Sequence, residues 1–315
     1  MKRLSAVQQR ILTEITWDAR ASVEDIARRL NLRGHTVRHA IQSLQKSLDL
    51  SPLCWTHPYL RGQAPYRVFF SVNPSSSKRV KALVARLKSL SQVSWMASLI
   101  GRYQFVLGLR AKGLSGVTDL FAQIDEEFEG VILERNISAI LKLSQFVPWL
   151  AHVGSGGRKA WQYSVTETRA NIDAVDEAVL VELQRRPLVS MKDLGKACGL
   201  PPSTVSYRTE RMLQSGVIIG FAFGYDERTL GREALVLSVS TGGLGGHCFD
   251  ALFDLARRHP QVSWIAQTLG EWDVEFGVVL DEVQDLHDIL HEIHSVGRVN
   301  VQGVSSHAII HTLKD

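Results

Sequence analysis

Apolar residues recur at helical spacing in several short stretches of the chain, and the most informative stretch is residues 200–219. Its buried stripe is formed by Val205, Thr209, Met212 and Leu213. Pro201 and Pro202 suit the first turn of a helix, where a missing N–H costs nothing. Gly216 ends the helix, and the apolar run that follows it predicts a strand. Because two shorter helical patterns precede this one, the sequence predicts a winged helix-turn-helix.

The same pattern occurs twice. Residues 7–50 align without a gap with residues 175–218 at an offset of 168 residues, and Val93-Ser94-Trp95 recurs as Val262-Ser263-Trp264 at an offset of 169 residues. Two matches at nearly one offset indicate a duplicated unit of roughly 150 residues. The helix over 35–48 therefore corresponds to the one after residue 200. Between the copies lie residues 151–172, which contain GSGG near their start, at 154–157. This composition is typical of a linker.

The remainder of each copy alternates between strand and helix in the order βαββαβ. The predicted elements are 66–72, 77–90, 93–99, 103–109, 117–128 and 131–143 in the first copy, and 234–240, 248–258, 262–269, 272–279, 283–293 and 299–312 in the second. This order predicts a ferredoxin-like sheet with two helices on one face. The other face needs a partner, because an antiparallel sheet this apolar would otherwise expose a patch.

The predicted fold class is therefore α+β, with two winged helix-turn-helix domains that are each followed by a ferredoxin-like βαββαβ domain. The expected boundaries are 1–60 for the first helix-turn-helix domain, 61–150 for the first βαββαβ domain, 151–172 for the linker, 173–230 for the second helix-turn-helix domain and 231–315 for the second βαββαβ domain.

Composition adds little that is specific. Hydrophobic residues make up 45% and charged residues 22% of the chain, which is ordinary for a globular protein. The apolar runs are too short to span a bilayer, and the start MKRLSAVQQR has no apolar signal core. Cys54, Cys198 and Cys248 form neither a disulfide framework nor a zinc pattern. We therefore expect a cytoplasmic protein with no membrane partner. Its net charge of +4 is only weak support for nucleic acid binding.

The outward faces of the two third helices carry the candidate DNA contacts. They are Arg33, His35, Thr36, Arg38 and His39 in the first copy, and Ser203, Thr204, Ser206, Tyr207, Arg208 and Arg211 in the second. Arginine suits guanine and phosphate, and hydroxyl groups can bond to either. Arg208 has a second interpretation, in which it braces the helix against its neighbour. For the whole set, the alternative interpretation is a solvated helix face.

The histidines of the last third of the chain and two glycine-rich segments form no recognisable site. His287, His291 and His294 share one predicted helix, and His307 and His311 follow on the last strand. Metal sites use such clusters, but no HExxH motif is formed, so we expect no metal ion and no other cofactor. The glycine-rich segments 154–157 and 241–246 lack the P-loop lysine and the GxGxxG spacing, so they are predicted to be loops. The second of these loops lies beside the sheet and could gate a ligand.

A winged helix-turn-helix followed by a βαββαβ domain with a glycine-aromatic-aspartate turn resembles the Lrp/AsnC regulators. In the second copy the matching residues are Leu200, Pro202, Arg208 and Gly216-Val217-Ile218 in the recognition-helix signature, Tyr225 to Gly231 in the hinge, and Gly270-Glu271-Trp272-Asp273 in the turn. The first copy departs from this pattern. Its turn is Gly101-Arg102-Tyr103-Gln104, Ala40 replaces the arginine, and its helix exit at 49–52 lacks the glycine.

The resemblance implies a regulator that binds double-stranded DNA and responds to a small metabolite, such as an amino acid, through RAM-type effector domains. The expected effector-binding residues are Gly101, Tyr103, Gly270, Trp272 and Asp273. No catalytic residue is expected.

The resemblance also implies that the sheet faces of two effector domains pair. By count, residues 61–150 carry 12 basic and 6 acidic side chains, whereas residues 221–315 carry 6 basic and 14 acidic side chains. Opposite net charges favour pairing of one domain with the other. We therefore expect an intrachain pseudo-dimer, and a homo-oligomer of such chains.

An enzyme is the alternative function. Siroheme decarboxylases resemble this family in fold and also pair two homologous halves. Their His-Asn-Tyr-type motif falls on the strand that is here Val93–Ala97 and Val262–Ala266, and these segments contain neither histidine nor asparagine. Because no nucleophile–base pair is recognisable elsewhere, the sequence favours a regulator.

Overall fold

The computed structural model describes residues 4–147, 158–243, 245–297 and 299–314. In chain order its elements are α1 (Ala6–Trp17), α2 (Val23–Leu30), α3 (Gly34–Leu48), β1 (Ser51–Thr56), β2 (Ala64–Val72), α4 (Ser77–Ser89), β3 (Val93–Ile100), β4 (Phe105–Ala111), α5 (Leu114–Glu127), β5 (Ile132–Phe146), β6 (Ala160–Ser164), α6 (Ala174–Arg185), α7 (Met191–Cys198), α8 (Pro202–Gln214), β7 (Ile218–Gly224), β8 (Glu233–Ser240), α9 (Gly246–Arg258), β9 (Val262–Leu269), β10 (Val274–Leu280), α10 (Val283–Ser295) and β11 (Gly303–Lys314). The predicted fold class, with two winged helix-turn-helix domains and two βαββαβ domains, is confirmed. In the described ranges, no helix has the length and apolar character needed to cross a membrane.

These elements form two compact units that cut across the duplication. The helical unit comprises Met1–Arg61, Gln145–Gln162 and Thr168–Arg232, and the sheet unit comprises Gly62–Ser144, Tyr163–Glu167 and Glu233–Asp315. Each unit thus contains one part of each copy. The predicted domain boundaries follow the chain order and do not reveal this grouping, because the pairing of distant segments leaves no local signal.

The helical unit is built around two buried clusters, one for each helix-turn-helix. Ile11, Leu12, Ile26, Val37 and Leu44 are fully buried in the first cluster. The second cluster is formed by Val179, Leu180, Leu183, Leu194, Val205 and Met212, together with the start of β7. Strands β1 and β7 pair in antiparallel fashion, so the strand that follows one helix-turn-helix is joined to the strand that follows the other.

The sheet unit contains both βαββαβ folds. The strand order is β2-β4-β3-β11-β8-β10-β9-β5-β6, and β2 also pairs with β5. Since β5 is thereby joined to both β9 and β2, eight strands close into a ring, and both edges of each four-stranded half are paired with the other half. At one of these junctions, Leu99 of β3 lies opposite Ile309 of β11.

Each half-sheet has two apolar faces. On the first half, Val68, Phe70, Leu107 and Leu109 belong to the cluster that includes residues of α4 and α5. On the opposite face, Phe69 and Val106 pack in a cluster with Val236 and Trp272 of the second half. The second face therefore has the partner that its apolar character requires.

The remaining differences from the sequence prediction are local. The segment predicted as a linker contains β6 at Ala160–Ser164, which extends the sheet beside β5. The GSGG motif at 154–157 lies outside the described residues. The strand predicted to begin at Trp272 begins at Val274, because Trp272 is buried in the preceding turn.

Candidate DNA-binding helices and the paired turns

The first helix-turn-helix places a basic face on α3. Helix α2 begins after Ser22, whose hydroxyl accepts a hydrogen bond from the Asp25 amide at 3.0 Å. It ends at Leu30, and Asn31 caps it in the left-handed conformation. The chain then enters α3 at Gly34. The predicted contact residues Arg33, His35, Arg38 and His39 are exposed, and Thr36 is half-buried. The basic side chains of this set thus lie on the solvent-facing side of the helix.

The second helix-turn-helix presents a polar face on α8, which includes the exposed Glu210. Ser203, Ser206 and Tyr207 are exposed, and Tyr207 keeps 66% of its surface accessible. Thr204 is half-buried. An exposed aromatic ring and two exposed serines offer both a flat apolar surface and hydroxyl groups to a partner.

The two arginines of α8 point instead to the start of α6. The Arg208 guanidinium lies 2.7 Å from Asp176 and 2.8 Å from Asp173, and Arg211 pairs with the other oxygen of Asp176. Asp176 is fully buried. The pKa of Asp173 is lowered because its carboxylate accepts a hydrogen bond from the Asp176 amide and pairs with Arg208. Arg208 thus links α8 to the start of α6, which is the geometry that its second interpretation requires. Arg211, predicted on the outward face, is 42% exposed and also pairs with Asp176.

The first copy has no such ion pairs. At the positions equivalent to Asp176, Arg208 and Arg211 it carries Gln8, Ala40 and Ser43, and the Gln8 amide donates to the Ser43 hydroxyl at 3.3 Å. The two recognition helices are thus held by different chemistry as well as carrying different outward residues.

Several contacts join the two helix-turn-helix domains besides the β1–β7 pairing. The Arg20 guanidinium donates to the Pro187 carbonyl at 2.7 Å and stacks on the Phe221 ring. Arg61 pairs with Glu177 at 2.8 Å, and the Ala19 amide donates to the Phe221 carbonyl at 2.9 Å. These contacts were not predicted, since each links residues that are far apart in sequence.

In the sheet unit, the turns expected to bind an effector lie against each other. Arg102 of the first turn donates to Glu271 of the second at 2.8 Å, and Arg102 also pairs with Glu134. Asn136 donates to the other oxygen of Glu271. The Tyr103 hydroxyl lies 3.4 Å from both carboxylates. A cluster of polar groups therefore stands where the two halves meet.

The aromatic residues of these turns are packed rather than exposed. Tyr103 and Trp272 lie with their ring centroids 6.3 Å apart, and both contact Phe69 and His307. His307 is 2% exposed and neither ring nitrogen has a hydrogen-bond partner. Burial therefore lowers the pKa of His307. Burial also raises the pKa of Tyr103 to about 12.

The other expected effector residues have backbone or packing roles. Asp273 accepts hydrogen bonds from the amide and the hydroxyl of Thr241, at 2.6 and 3.0 Å, and so fixes the start of the glycine-rich loop. Gly270 lies so close to Ser138 that a side chain would overlap it, and Gly101 lies against His307 in the same way, though less tightly. The structure thus brings the five predicted residues to two adjacent turns.

The helix histidines are not gathered into a metal-binding arrangement. His287, His291 and His294 are exposed along α10. Among the described residues, no three side chains of His, Cys, Asp or Glu are placed to hold one metal ion.

Comparison with known proteins supports the two DNA-binding modules directly. A family model for winged helix-turn-helix DNA-binding domains matches residues 4–47 and 172–219. An uncharacterised helix-turn-helix transcriptional regulator of Pyrococcus horikoshii is 29% identical over 133 residues, which cover 40% of this chain and 88% of the relative. The regulatory protein AsnC of Haemophilus influenzae is 25% identical over 120 residues, which cover 38% of this chain and 79% of AsnC. Over about two fifths of its length, the chain is a homologue of AsnC/Lrp transcriptional regulators.

A solved structure extends the likeness in fold to nearly the whole chain. The siroheme decarboxylase NirDL is similar with a TM-score of 0.63 at 11% sequence identity, and the match covers 98% of this chain and 92% of NirDL. At this identity the likeness concerns the fold alone.

Proposed function

We propose that the protein is a sequence-specific transcriptional regulator that binds double-stranded DNA through α3 and α8. The observation that carries the proposal is the presence of two winged helix-turn-helix modules whose recognition helices keep polar or basic faces exposed. Recognition helices of this kind enter the major groove and read base edges with their outward side chains. The relatives with named roles are transcriptional regulators.

The two helices differ in what they offer DNA. Arg33 at the N-cap of α3 and Arg38 on the helix offer positive charge to phosphates and guanine, and His35 and His39 offer ring nitrogen atoms to bases. Helix α8 offers Ser203, Ser206 and Tyr207, while its arginines are engaged by Asp173 and Asp176. Because one chain carries two unlike readers, its preferred site is asymmetric, unless two chains assemble and restore the symmetry.

The experiment is a selection of bound fragments from genomic DNA, followed by footprinting of the enriched site. At low salt, where phosphate contacts are strongest, we expect a small set of enriched fragments that contain one asymmetric motif. The test variants are Arg38→Ala and Tyr207→Ala, and each should relax a different part of the motif. Failure to enrich any fragment at low salt contradicts the regulator.

We further propose that a small metabolite, such as an amino acid, binds at the paired turns. Arg102 offers a partner for a carboxylate, and Glu134 and Glu271 offer partners for an amine. A ligand there has to displace the Arg102–Glu271 pair, so its binding would alter the contact between the halves and bias the DNA-binding unit. The test is thermal unfolding with each of the common amino acids, where a dose-dependent rise in Tm that is lost in Glu271→Gln supports the site.

The proposed assembly is an intrachain pseudo-dimer, in which the two βαββαβ halves of one chain pair as two subunits do elsewhere. The opposite net charges of the halves and the strand pairing between β3 and β11 support it. Several such chains would then form a homo-oligomer, which light scattering can measure.

A siroheme-decarboxylase-like enzyme is the second candidate, and the full-length likeness to NirDL favours it. Against it, the strands Val93–Ile100 and Val262–Leu269 carry Trp95 and Trp264 and no histidine. A tetrapyrrole absorption band in the purified protein, or loss of carboxylate groups from added siroheme, would reverse this order of preference.

A further inference from the structure

A pseudo-two-fold axis relates the two halves of the sheet unit. At several equivalent positions near this axis, one half carries a charged residue and the other half carries a different residue. The offset of 169 residues makes Arg102 equivalent to Glu271, Arg67 to Val236 and Val106 to Glu275. The strand registers agree, since Arg67 lies opposite Gly108 on β4 and Val236 lies opposite Gly277 on β10.

The position of Arg67 shows where this axis runs. Its guanidinium lies 5.2 Å from the Trp95 ring and 4.9 Å from the Trp264 ring, and these two tryptophans are equivalent residues of the two halves. A group at nearly equal distances from two equivalent residues lies close to the axis that relates them. The Trp264 indole covers Gly277, because a Cβ there would overlap its ring, whereas a Cβ at Gly108 would lie 3.1 Å from the Ser94 hydroxyl and 3.8 Å from the Trp95 Cβ.

Arg67 is neutralised by a residue of the other half. Its Nε lies 3.2 Å from Glu275, which is fully buried, and Arg67 itself is almost fully buried. Burial raises the pKa of Glu275, and the Arg67 charge opposes that effect. Arg67 and Glu275 thus form a buried ion pair that needs one first half and one second half.

A second pair crosses the same axis nearer the surface. Arg102 and Glu271 are equivalent residues and contact each other directly at 2.8 Å. In a pair of like halves, the same residue would face itself at this position, so two arginines or two glutamates would be opposed.

A pair of two first halves or of two second halves would also lose the buried ion pair between Arg67 and Glu275. Two first halves would bring two Arg67 side chains to the axis with Val106 where Glu275 stands, and two second halves would bury two Glu275 carboxylates with Val236 in place of the arginine. Buried charges without partners are strongly destabilising, and like charges opposed at an interface reject the wrong partner.

We propose that Arg67, Arg102, Glu271 and Glu275 form a pairing code that makes the first half accept a second half, from its own chain or from another copy, and reject another first half. This inference rests on the proposed pseudo-dimer and names the residues that determine its partner choice. It assigns the divergence of the first copy a function in assembly.

The first experiment measures the surface pair in the intact chain. Because Glu134 also contacts Arg102, the reference protein and its variants all carry Glu134→Gln. We expect Arg102→Glu and Glu271→Arg each to lower Tm by about 2–4 °C, and the two together to restore most of it, since the opposed charges are again unlike. Losses that simply add in the double variant overturn the code at this position. In 1 M NaCl the differences should shrink.

The second experiment measures partner choice. A protease site replaces residues 154–157, the folded protein is cleaved, and the two fragments are unfolded in urea, refolded together and weighed by native mass spectrometry. Wild-type fragments should return only as the mixed pair. In the levelled protein, which carries Arg67→Val, Glu275→Val, Arg102→Gln and Glu271→Gln, we expect pairs of like fragments to appear beside the mixed pair.

The outcomes separate this inference from the one it rests on. Absence of the mixed pair from the wild-type sample contradicts the pseudo-dimer itself, and like pairs beside the mixed pair in that sample overturn the code. Only mixed pairs in both samples leave the pseudo-dimer intact and overturn the four-residue code. If the levelled protein does not refold, the intact-chain cycle is repeated with Arg67→Val and Glu275→Val, where the code predicts that each single change lowers Tm by more than about 6 °C and the double change by less than either.

Discussion

Arg208 of the second recognition helix reaches the carboxylate of Asp176 at 2.7 Å, and Asp176 is fully buried in the first turn of α6. The same carboxylate accepts a hydrogen bond from the Asp173 amide at 3.0 Å and pairs with Arg211. One buried side chain therefore fixes both the start of α6 and the outer face of α8.

Replacing this carboxylate should loosen the second reader. We expect Asp176→Ala to lower the free energy of unfolding by about 2 kcal/mol, because it removes a cap and leaves two arginines without their shared partner. Urea unfolding measures the change. Gln8→Ala is the matched control, since Gln8 is the equivalent residue and makes only neutral hydrogen bonds. Equal losses in both variants would contradict the special role of Asp176.

The exposed charge on α3 should be visible in the salt dependence of DNA binding. Arg38→Ala removes a cation from the outward face, so the slope of log Kd against log salt should become smaller by about 1. Lys78→Ala removes the same charge from an exposed position on α4 in the sheet unit and serves as the control. If both variants bind like the wild type, α3 does not contact phosphate.

His307 should make stability depend on pH in the acid range. Burial lowers its pKa from the usual 6.5, so below pH 6.5 the unfolded chain takes up a proton that the folded protein rejects. The free energy of unfolding should therefore fall as pH drops below 6.5 and be unaffected by this residue above it. His307→Phe keeps an aromatic ring in the cluster and should reduce the slope. His57 has the same direction of shift but remains in both proteins, so the difference between them isolates His307.

The indole of Trp264 lies so close to Gly277 that a methyl group has no space there. In Gly277→Ala the new Cβ would overlap the Trp264 indole, and we expect a loss of about 1–3 kcal/mol in the free energy of unfolding. Gly246→Ala is the control, because a Cβ there meets nothing within 4 Å. It should leave stability unchanged or raise it by about 0.5 kcal/mol. A harmless Gly277→Ala would mean that Trp264 moves freely.

The duplication and the two recognition helices could be predicted because they rest on local periodicity. Val205, Thr209 and Met212 of the predicted stripe are buried as their spacing requires, whereas Leu213, predicted in the same stripe, is 40% exposed. The assignment of Arg211 to DNA contact failed to anticipate Asp176, which lies 35 residues earlier in the chain. Helical spacing predicts the face of the helix on which a side chain lies, but it does not predict which distant residue that side chain contacts.

The grouping of the chain into two units could not be predicted from the sequence, because it too depends on contacts between distant residues. Nothing local in Ser51–Thr56 indicates that it pairs with Ile218–Gly224, or that Arg20 reaches Pro187. The charge difference between the halves did indicate that they are complementary, but counts alone could not single out Arg67 and Glu275 as the buried pair. Their role depends on a strand register that only the folded sheet provides.

The closed ring of strands has a consequence for synthesis on the ribosome. Leu99 and Ile309 face each other across the β3–β11 junction, yet two thirds of the chain separates them. At about 5–20 residues per second, the nascent β3 edge waits on the order of 10 s or longer for its partner strand to be made. During that interval the edge is open to pairing with other chains. The rate of translation between the two copies, and access to chaperones that cover open edges, should therefore govern how much of the protein reaches its native state.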